Sequence, residues 1–258
     1  MGLVATSKLR KCKKEVLANS EYAKAARESV EALAGMMDSN EDASYFKGNS
    51  SNKALYIVIA SDSGLCGGYN NNVVTYLNSV IEKSEKEAAV IAVGSKAISY
   101  LERFGIKTIA EYVDIPDIPT SKEIKLVYEN ALKLYDNKEV SEVNVVFTKF
   151  ISPIKQEVEV EKLLPVESIS GAESNQFIEP DFNTVLKSSM DIYLKGKLRS
   201  MILTSKCSEQ SSRMTAMDGA SRNADDIISA LNLKFNRIRQ TMITNEISEI
   251  VSGAQAQK

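Results

Sequence analysis

Histidine and tryptophan are both absent from the 258 residues. Without histidine there is no Ser-His-Asp triad, no Cys-His pair and no His-containing metal site. Lys, Asp, Glu, Tyr and Cys remain available for acid–base or nucleophilic work, so an enzyme is disfavoured rather than excluded. Aromatic residues make up only 7% of the chain. So few large core anchors point toward an elongated shape. The three cysteines, Cys12, Cys66 and Cys207, are odd in number and far apart. They show neither metal-ligand spacing nor a disulfide framework, which fits a reducing compartment. No apolar run reaches the length that crosses a bilayer. The first eight residues are too polar and too short for a secretory signal, and their match to a myristoylation pattern is loose. Of the five prolines, none follows Pro180.

What is present is unevenly distributed. The net charge of −2 conceals two basic stretches. Residues 1–30 carry seven basic and three acidic side chains, and residues 195–240 carry nine and four. Such asymmetry fits acidic partner surfaces, although a solvated helix face is the simpler account. The basic stretches lack interleaved aromatics and any nucleic-acid-binding module, so no nucleic-acid partner is expected.

From Leu9 a heptad ladder runs through Cys12, Val16, Asn19, Ala23, Ala26, Val30, Leu33 and Met37. Alternating steps of three and four describe the narrow seam of a coiled coil. A second ladder comprises Met217, Ala220, Ala224, Ile228, Leu231, Phe235, Ile238 and Met242. With no proline in the way, a helix is predicted from about residue 181 to 251, on the order of 100 Å long at about 1.5 Å per residue. The two ladders are expected to pack on each other, antiparallel, with small residues allowing close approach.

The middle of the chain reads as α/β. Residues 54–60, 88–93 and 143–150 are short β-rich apolar runs, and helical patterns lie at 73–82, 96–104 and 121–134. Alternation of this type predicts a doubly wound, mainly parallel, Rossmann-like sheet. Residues 154–160 alternate as an edge or antiparallel strand, and 167–179 as an exposed loop. The expected division is a coiled-coil helix over 1–50, an inserted α/β domain over 51–180 and a coiled-coil helix over 181–258. One glycine-rich segment, Ser61-Asp-Ser-Gly-Leu-Cys-Gly-Gly-Tyr-Asn70, follows the first strand. It matches neither the P-loop nor the dinucleotide fingerprint. A structural turn needing positive φ at two or three of Gly64, Gly67 and Gly68 is the better reading. Cys66 is then a small packing residue. A nucleotide-binding α/β enzyme with a helical arm remains the alternative.

Three segments resemble the gamma-subunit family of F-type ATP synthases. They are Val4-Ala-Thr-Ser-Lys-Leu-Arg10, the glycine loop around Gly64-Leu-Cys-Gly-Gly68, and the C-terminal series Ser212–Met217, Asn236–Gln240 and Ile243–Ala254. The resemblance implies a central rotor shaft with no catalytic residue, cofactor or metal of its own. It would couple proton-driven c-ring rotation to ATP synthesis or hydrolysis in a hexamer of alpha and beta subunits. The expected position is the cytoplasmic face of a bacterial inner membrane, read only from the missing transit peptide, with an organelle origin left open. The resemblance further implies that Arg213, Arg239, Gln240, Thr244 and Glu246 meet the hexamer. Gln176 and Glu179 would face the c-ring and the epsilon subunit. Three departures from the family pattern are about twenty fewer residues before Met1, Ser63 in place of an Arg, and Asp218-Gly219 in place of a Lys-Asn type pair.

Overall fold

A computed structural model describes residues 1–36, 45–166 and 178–256. The chain divides into two compact units, Met1–Thr215 and Ala216–Lys258. The first holds α1 (Gly2–Ala34), β1 (Lys53–Ile59), α2 (Tyr69–Lys83), β2 (Glu87–Val93), α3 (Ser95–Arg103), β3 (Thr108–Tyr112), α4 (Ser121–Asp136), β4 (Glu142–Phe150) and β5 (Gln156–Leu164). Helix α5 (Phe182–Ala256) contributes its first part to this unit, and its remainder forms the second.

The sheet has the order β3-β2-β1-β4-β5. β1 pairs in parallel with β2 and β4, β2 pairs in parallel with β3, and β5 is antiparallel to β4. The central strand β1 is buried on both faces, which is why it reads as a continuous apolar run. Its alternate residues serve two cores. Ala54, Tyr56 and Val58 pack with Val73, Val74 and Leu77 of α2 and with Ala97 and Leu101 of α3. Leu55, Ile57 and Ile59 share a cluster with Ile124, Val127 and Tyr128 of α4, with α1 and with α5. This is the expected doubly wound arrangement. Strand β3 was not foreseen. It is a five-residue edge strand whose side chains are half-buried or exposed, so it lacks the apolar run that marks an interior strand. The alternating segment becomes β5, shifted to Gln156–Leu164. Helix α4 begins where Thr120 and Glu123 form a reciprocal capping box, satisfying donors that the helix start would leave unpaired.

Helix α1 buries Ala5, Leu9, Cys12, Asn19, Ala26, Val30 and Leu33, following the expected ladder; Met37 lies outside the described residues. Its partner in the first unit is the opening part of α5. Cys12 packs with Cys207, and Asn19 Nδ2 donates to the Gly196 carbonyl at 3.3 Å. Ala26, Val30 and Leu33 share a core with Leu186, Met190 and Tyr193. Rising numbers on one helix meet falling numbers on the other, so the pair is antiparallel. Arg199 ties it with Nη1 on Asn19 Oδ1 at 2.8 Å and Nη2 on Glu15 Oε2 at 3.4 Å.

The expected partner of the N-terminal ladder therefore needs correction. The α1 seam is filled by residues between Leu186 and Cys207. Ile228, Leu231, Phe235, Ile238 and Met242 of the second ladder are instead exposed. The stripe from Leu186 to Ile202 faces the sheet as well as α1. It is broader than a heptad seam, and a search for narrow ladders passes it by.

Candidate functional site

Doubly wound sheets place ligands outside the carboxyl ends of the strands, where the strand order reverses. Here that point lies between β1 and β4, and the glycine loop leaves β1 beside it. The crevice is occupied by the chain itself. Ser205, Lys206, Cys207, Ser208, Glu209, Gln210, Ser211 and Arg213 of α5 are all buried, although most are polar. The seven residues Ser205–Ser211 are buried without a break and make nearly two turns, covering every side of the helix axis, so this part of α5 is collared all round.

The collar is built from hydrogen bonds. Ser205 Oγ lies 2.8 Å from the Tyr69 hydroxyl, which also donates to the Ser205 carbonyl at 3.1 Å. Burial raises the Tyr69 phenol well above its usual range, so it stays a neutral donor. Ser208 Oγ donates to the Thr148 carbonyl of β4 at 2.9 Å. Ser211 Oγ donates to the Pro153 carbonyl at 3.0 Å, and Ser212 Oγ to Gln156 Oε1 at 3.2 Å. Gln210 Nε2 donates to Asp117 Oδ1 at 2.9 Å, and the other oxygen of Asp117 meets Lys8 of α1 at 2.7 Å. Burial opposes ionisation of Asp117, but the Lys8 ammonium outweighs it and holds this carboxyl below its ordinary value.

Charge in the collar is arranged around Glu209. Its Oε1 accepts from Arg213 Nη1 at 2.8 Å, while Oε2 has a 3.5 Å electrostatic contact with Lys206 Nζ and no hydrogen bond. Lys206 Nζ also lies 3.5 Å from Asp62 Oδ2. Asp62 Oδ1 accepts from the backbone amides of Ser95 and Asp114, each at 3.1 Å. Arg213 Nη2 reaches Ser63 Oγ at 2.9 Å and the Ser63 carbonyl at 3.1 Å, and its Nε approaches the Gly64 carbonyl at 3.4 Å. The glycine loop thus grips α5 through its carbonyls.

Of the three glycines in that loop only Gly67 has positive φ, at 57°. Gly64 does not, Gly68 is αR as the N-cap of α2, and the other left-handed residue is Leu65 at 63°. The expectation of two or three positive-φ glycines is corrected to one, because a leucine makes the second unusual turn. Cys66 is buried as expected and accepts from Asn70 Nδ2 at 3.1 Å, while Ser61 Oγ donates to Asn70 Oδ1 at 2.9 Å.

The remaining residues singled out in the sequence fall elsewhere. Arg213 is buried in the collar rather than displayed on a helix face. Arg239, Gln240, Thr244 and Glu246 are exposed in the second unit. Arg239 and Glu246 lie two turns apart on one face, with Gln240 and Thr244 one turn apart beside them. Thr244 Oγ1 donates back to the Gln240 carbonyl at 2.8 Å. Neither Arg239 nor Glu246 has an ion-pair partner among the described residues. Glu179 is exposed, and Gln176 lies outside the described residues. Sequence reasoning missed Asp62, Tyr69, Lys206 and Glu209. The available signal was an almost wholly polar run, Ser205–Arg213, inside a long helix otherwise carrying apolar periodicity. Among the described residues no group of His, Cys, Asp and Glu could hold a metal ion.

A family model described as ATP synthase matches residues 1–257. The ATP synthase gamma chain of Clostridium botulinum (strain Eklund 17B / Type B) is 55% identical over 258 residues, covering 100% of this chain and 91% of that one. That of Clostridium beijerinckii is 52% identical over 257 residues with the same coverage. Among solved structures, a central stalk and c-ring structure of the Tetrahymena thermophila mitochondrial ATP synthase is similar with a TM-score of 0.66 at 22% identity, covering 86% of this chain and 97% of that chain. A Euglena gracilis mitochondrial ATP synthase structure reaches a TM-score of 0.64 at 15% identity, covering 98% and 95%. At such identities these two establish the likeness of fold.

Proposed function

The chain belongs to the ATP synthase gamma-chain family, and we propose from that premise that it is the rotor shaft of an F-type ATP synthase. It turns inside a hexamer of alpha and beta subunits and couples c-ring rotation to their nucleotide chemistry. The observation that carries this reading is the exposed ladder of the second unit. Ile228, Leu231, Phe235, Ile238 and Met242 are each between 50% and 65% exposed. An apolar stripe of that length marks a protein–protein contact. Arg239, Gln240, Thr244 and Glu246 supply polar contacts beside it. Exposed polar contacts of this kind are individually weak, which suits contacts made and released as the shaft turns.

The chain is non-catalytic in this reading, and the filled crevice supports that. Where a doubly wound enzyme would hold a nucleotide, this protein holds its own helix, which disfavours the alternative of a nucleotide-binding enzyme. By the family resemblance, exposed Glu179 is assigned to the side facing the c-ring and the epsilon subunit. No helix among the described residues is long and apolar enough to cross a membrane. In this reading the chain sits at the cytoplasmic face of a bacterial inner membrane, held there through the complex.

Co-expression with alpha and beta subunits, capture of the complex and an ATPase assay test the proposal. A stoichiometric complex with turnover that the isolated chain lacks is expected. Micromolar nucleotide binding by the isolated chain, with no assembly, would favour the enzyme reading instead.

A further inference from the structure

We propose that Cys12 and Cys207 form an oxidisable thiol pair, a disulfide modification site that locks α1 to α5 across their seam. The inference does not depend on the rotor reading. All three cysteines are free and buried, but only these two meet. Cys12 and Cys207 make up a small apolar cluster with Leu9, bounded by Val16, Phe150 and Met214. Cys12 is 0% exposed and Cys207 is 1% exposed. They come from facing turns of an antiparallel helix pair, 195 positions apart in sequence, so the pairing exists only in the folded chain. Cys66 is held apart by Asn70 and Ser61 in the glycine loop.

The chemistry of the pair is asymmetric. The Cys12 thiol donates to the Asp117 carbonyl at 3.6 Å, and the Cys207 thiol packs beside it in the same cluster. The neighbouring Cys207 thiol, helped by the Lys206 ammonium, lowers the Cys12 thiol below its ordinary value even though burial and the charges of Asp117 and Glu209 oppose it. The same contact, with burial, raises Cys207. The Cys12 sulfur attacks once it has released the proton it shares with the Asp117 carbonyl, and Cys207 resolves. With a diazene oxidant such as diamide, the Cys12 sulfur adds to one nitrogen of the N=N bond and the other nitrogen takes a proton. The Cys207 sulfur then attacks the Cys12 sulfur and the S–N bond breaks. The electron pair and the Cys207 proton leave with the hydrazine, so two thiols are oxidised and one diazene is reduced.

Access runs through the irregular segment 113–119. Its Asp117 carbonyl accepts from Cys12 Sγ at 3.6 Å, while Val113 and Asp114 are exposed. Reaching the sulfur requires that segment to open locally, releasing Asp117 from Lys8 and Gln210.

The test uses the full chain, reduced or treated with diamide under native conditions, then alkylated and digested with trypsin without reduction. The expected product is monomeric, retains a single free thiol at Cys66, and yields a disulfide linking the peptide Cys12–Lys13 to Cys207–Arg213. Its melting temperature should rise, and dithiothreitol should reverse both changes. Cys66→Ser should keep the linkage, and Cys207→Ser should abolish it. Three free thiols after treatment of the native chain, a linkage through Cys66, or a disulfide between two chains would each overturn the proposal.

Discussion

Replacing Arg213 with methionine tests the collar most directly, because it keeps the buried stem and removes the charge. Arg213 is 8% exposed, and its hardest-won contact is Nη1 on Glu209 at 2.8 Å. Ser63 and Gly64 are exposed, so the oxygens abandoned by Nη2 and Nε regain water at little cost. Glu209, only 3% exposed, cannot. Removing one member of a buried ion pair typically costs about 3–5 kcal/mol. Lys206, still 3.5 Å from Glu209, offsets part of that, so the expected loss is about 3 kcal/mol. For a chain of this size that corresponds to a fall in Tm of roughly 6–12 °C. Urea unfolding of the isolated chain, followed by circular dichroism, measures it. Adding Glu209→Gln removes the stranded charge, so the double variant should be more stable than Arg213→Met alone, with a coupling of at least about 1 kcal/mol. A single variant within about 0.5 kcal/mol of the parent, and a double variant that is merely additive, would show that the collar charges are effectively solvated and refute the reasoning.

Four further outcomes are expected. Gly94 has φ of 101°, and a Cβ there would sit 2.5 Å from the Ala60 carbonyl oxygen; Gly94→Ala should cost at least about 2 kcal/mol in urea unfolding. Gly219 lies inside α5 with nothing within 4 Å, so Gly219→Ala should raise helicity by circular dichroism and stabilise by about 0.5–1 kcal/mol. Asp117 and Glu142 are both held below their ordinary values: burial opposes this, but Lys8 prevails at Asp117, and Lys162 and Lys86 prevail at Glu142. A depressed folded-state value stabilises above the unfolded-state value, near about 4, and is lost as pH falls through the folded value. The urea midpoint should therefore fall on acidification below about pH 4, and Asp117→Asn should flatten that fall. Arg239→Ala should lower ATP hydrolysis by the assembled complex several-fold while leaving its recovery unchanged; equal turnover would remove Arg239 from the working contacts.

The local patterns that survive into the structure are those imposed by periodicity. The β-rich runs became β1, β2 and β4 because strands buried on both faces need unbroken apolar side chains. The step of three and four placed Leu9, Cys12, Ala26 and Val30 on one face of α1, and the absence of proline after Pro180 left α5 uninterrupted. Arg239, Gln240, Thr244 and Glu246 were singled out from family motifs, and they lie exposed in the second unit. Tertiary structure decided the rest. Which stretch of α5 meets α1 depended on a stripe shared with the sheet, which no scan of a single helix separates into two faces. The collar was invisible for a related reason: Ser205 to Arg213 carry the polarity of a solvent-exposed helix. Only when the sheet brings Tyr69, Thr148, Ser63 and Asp117 around them do they find enough partners to be buried. Sequence fixes what each side chain can donate or accept, but long-range contact decides whether water or protein answers it.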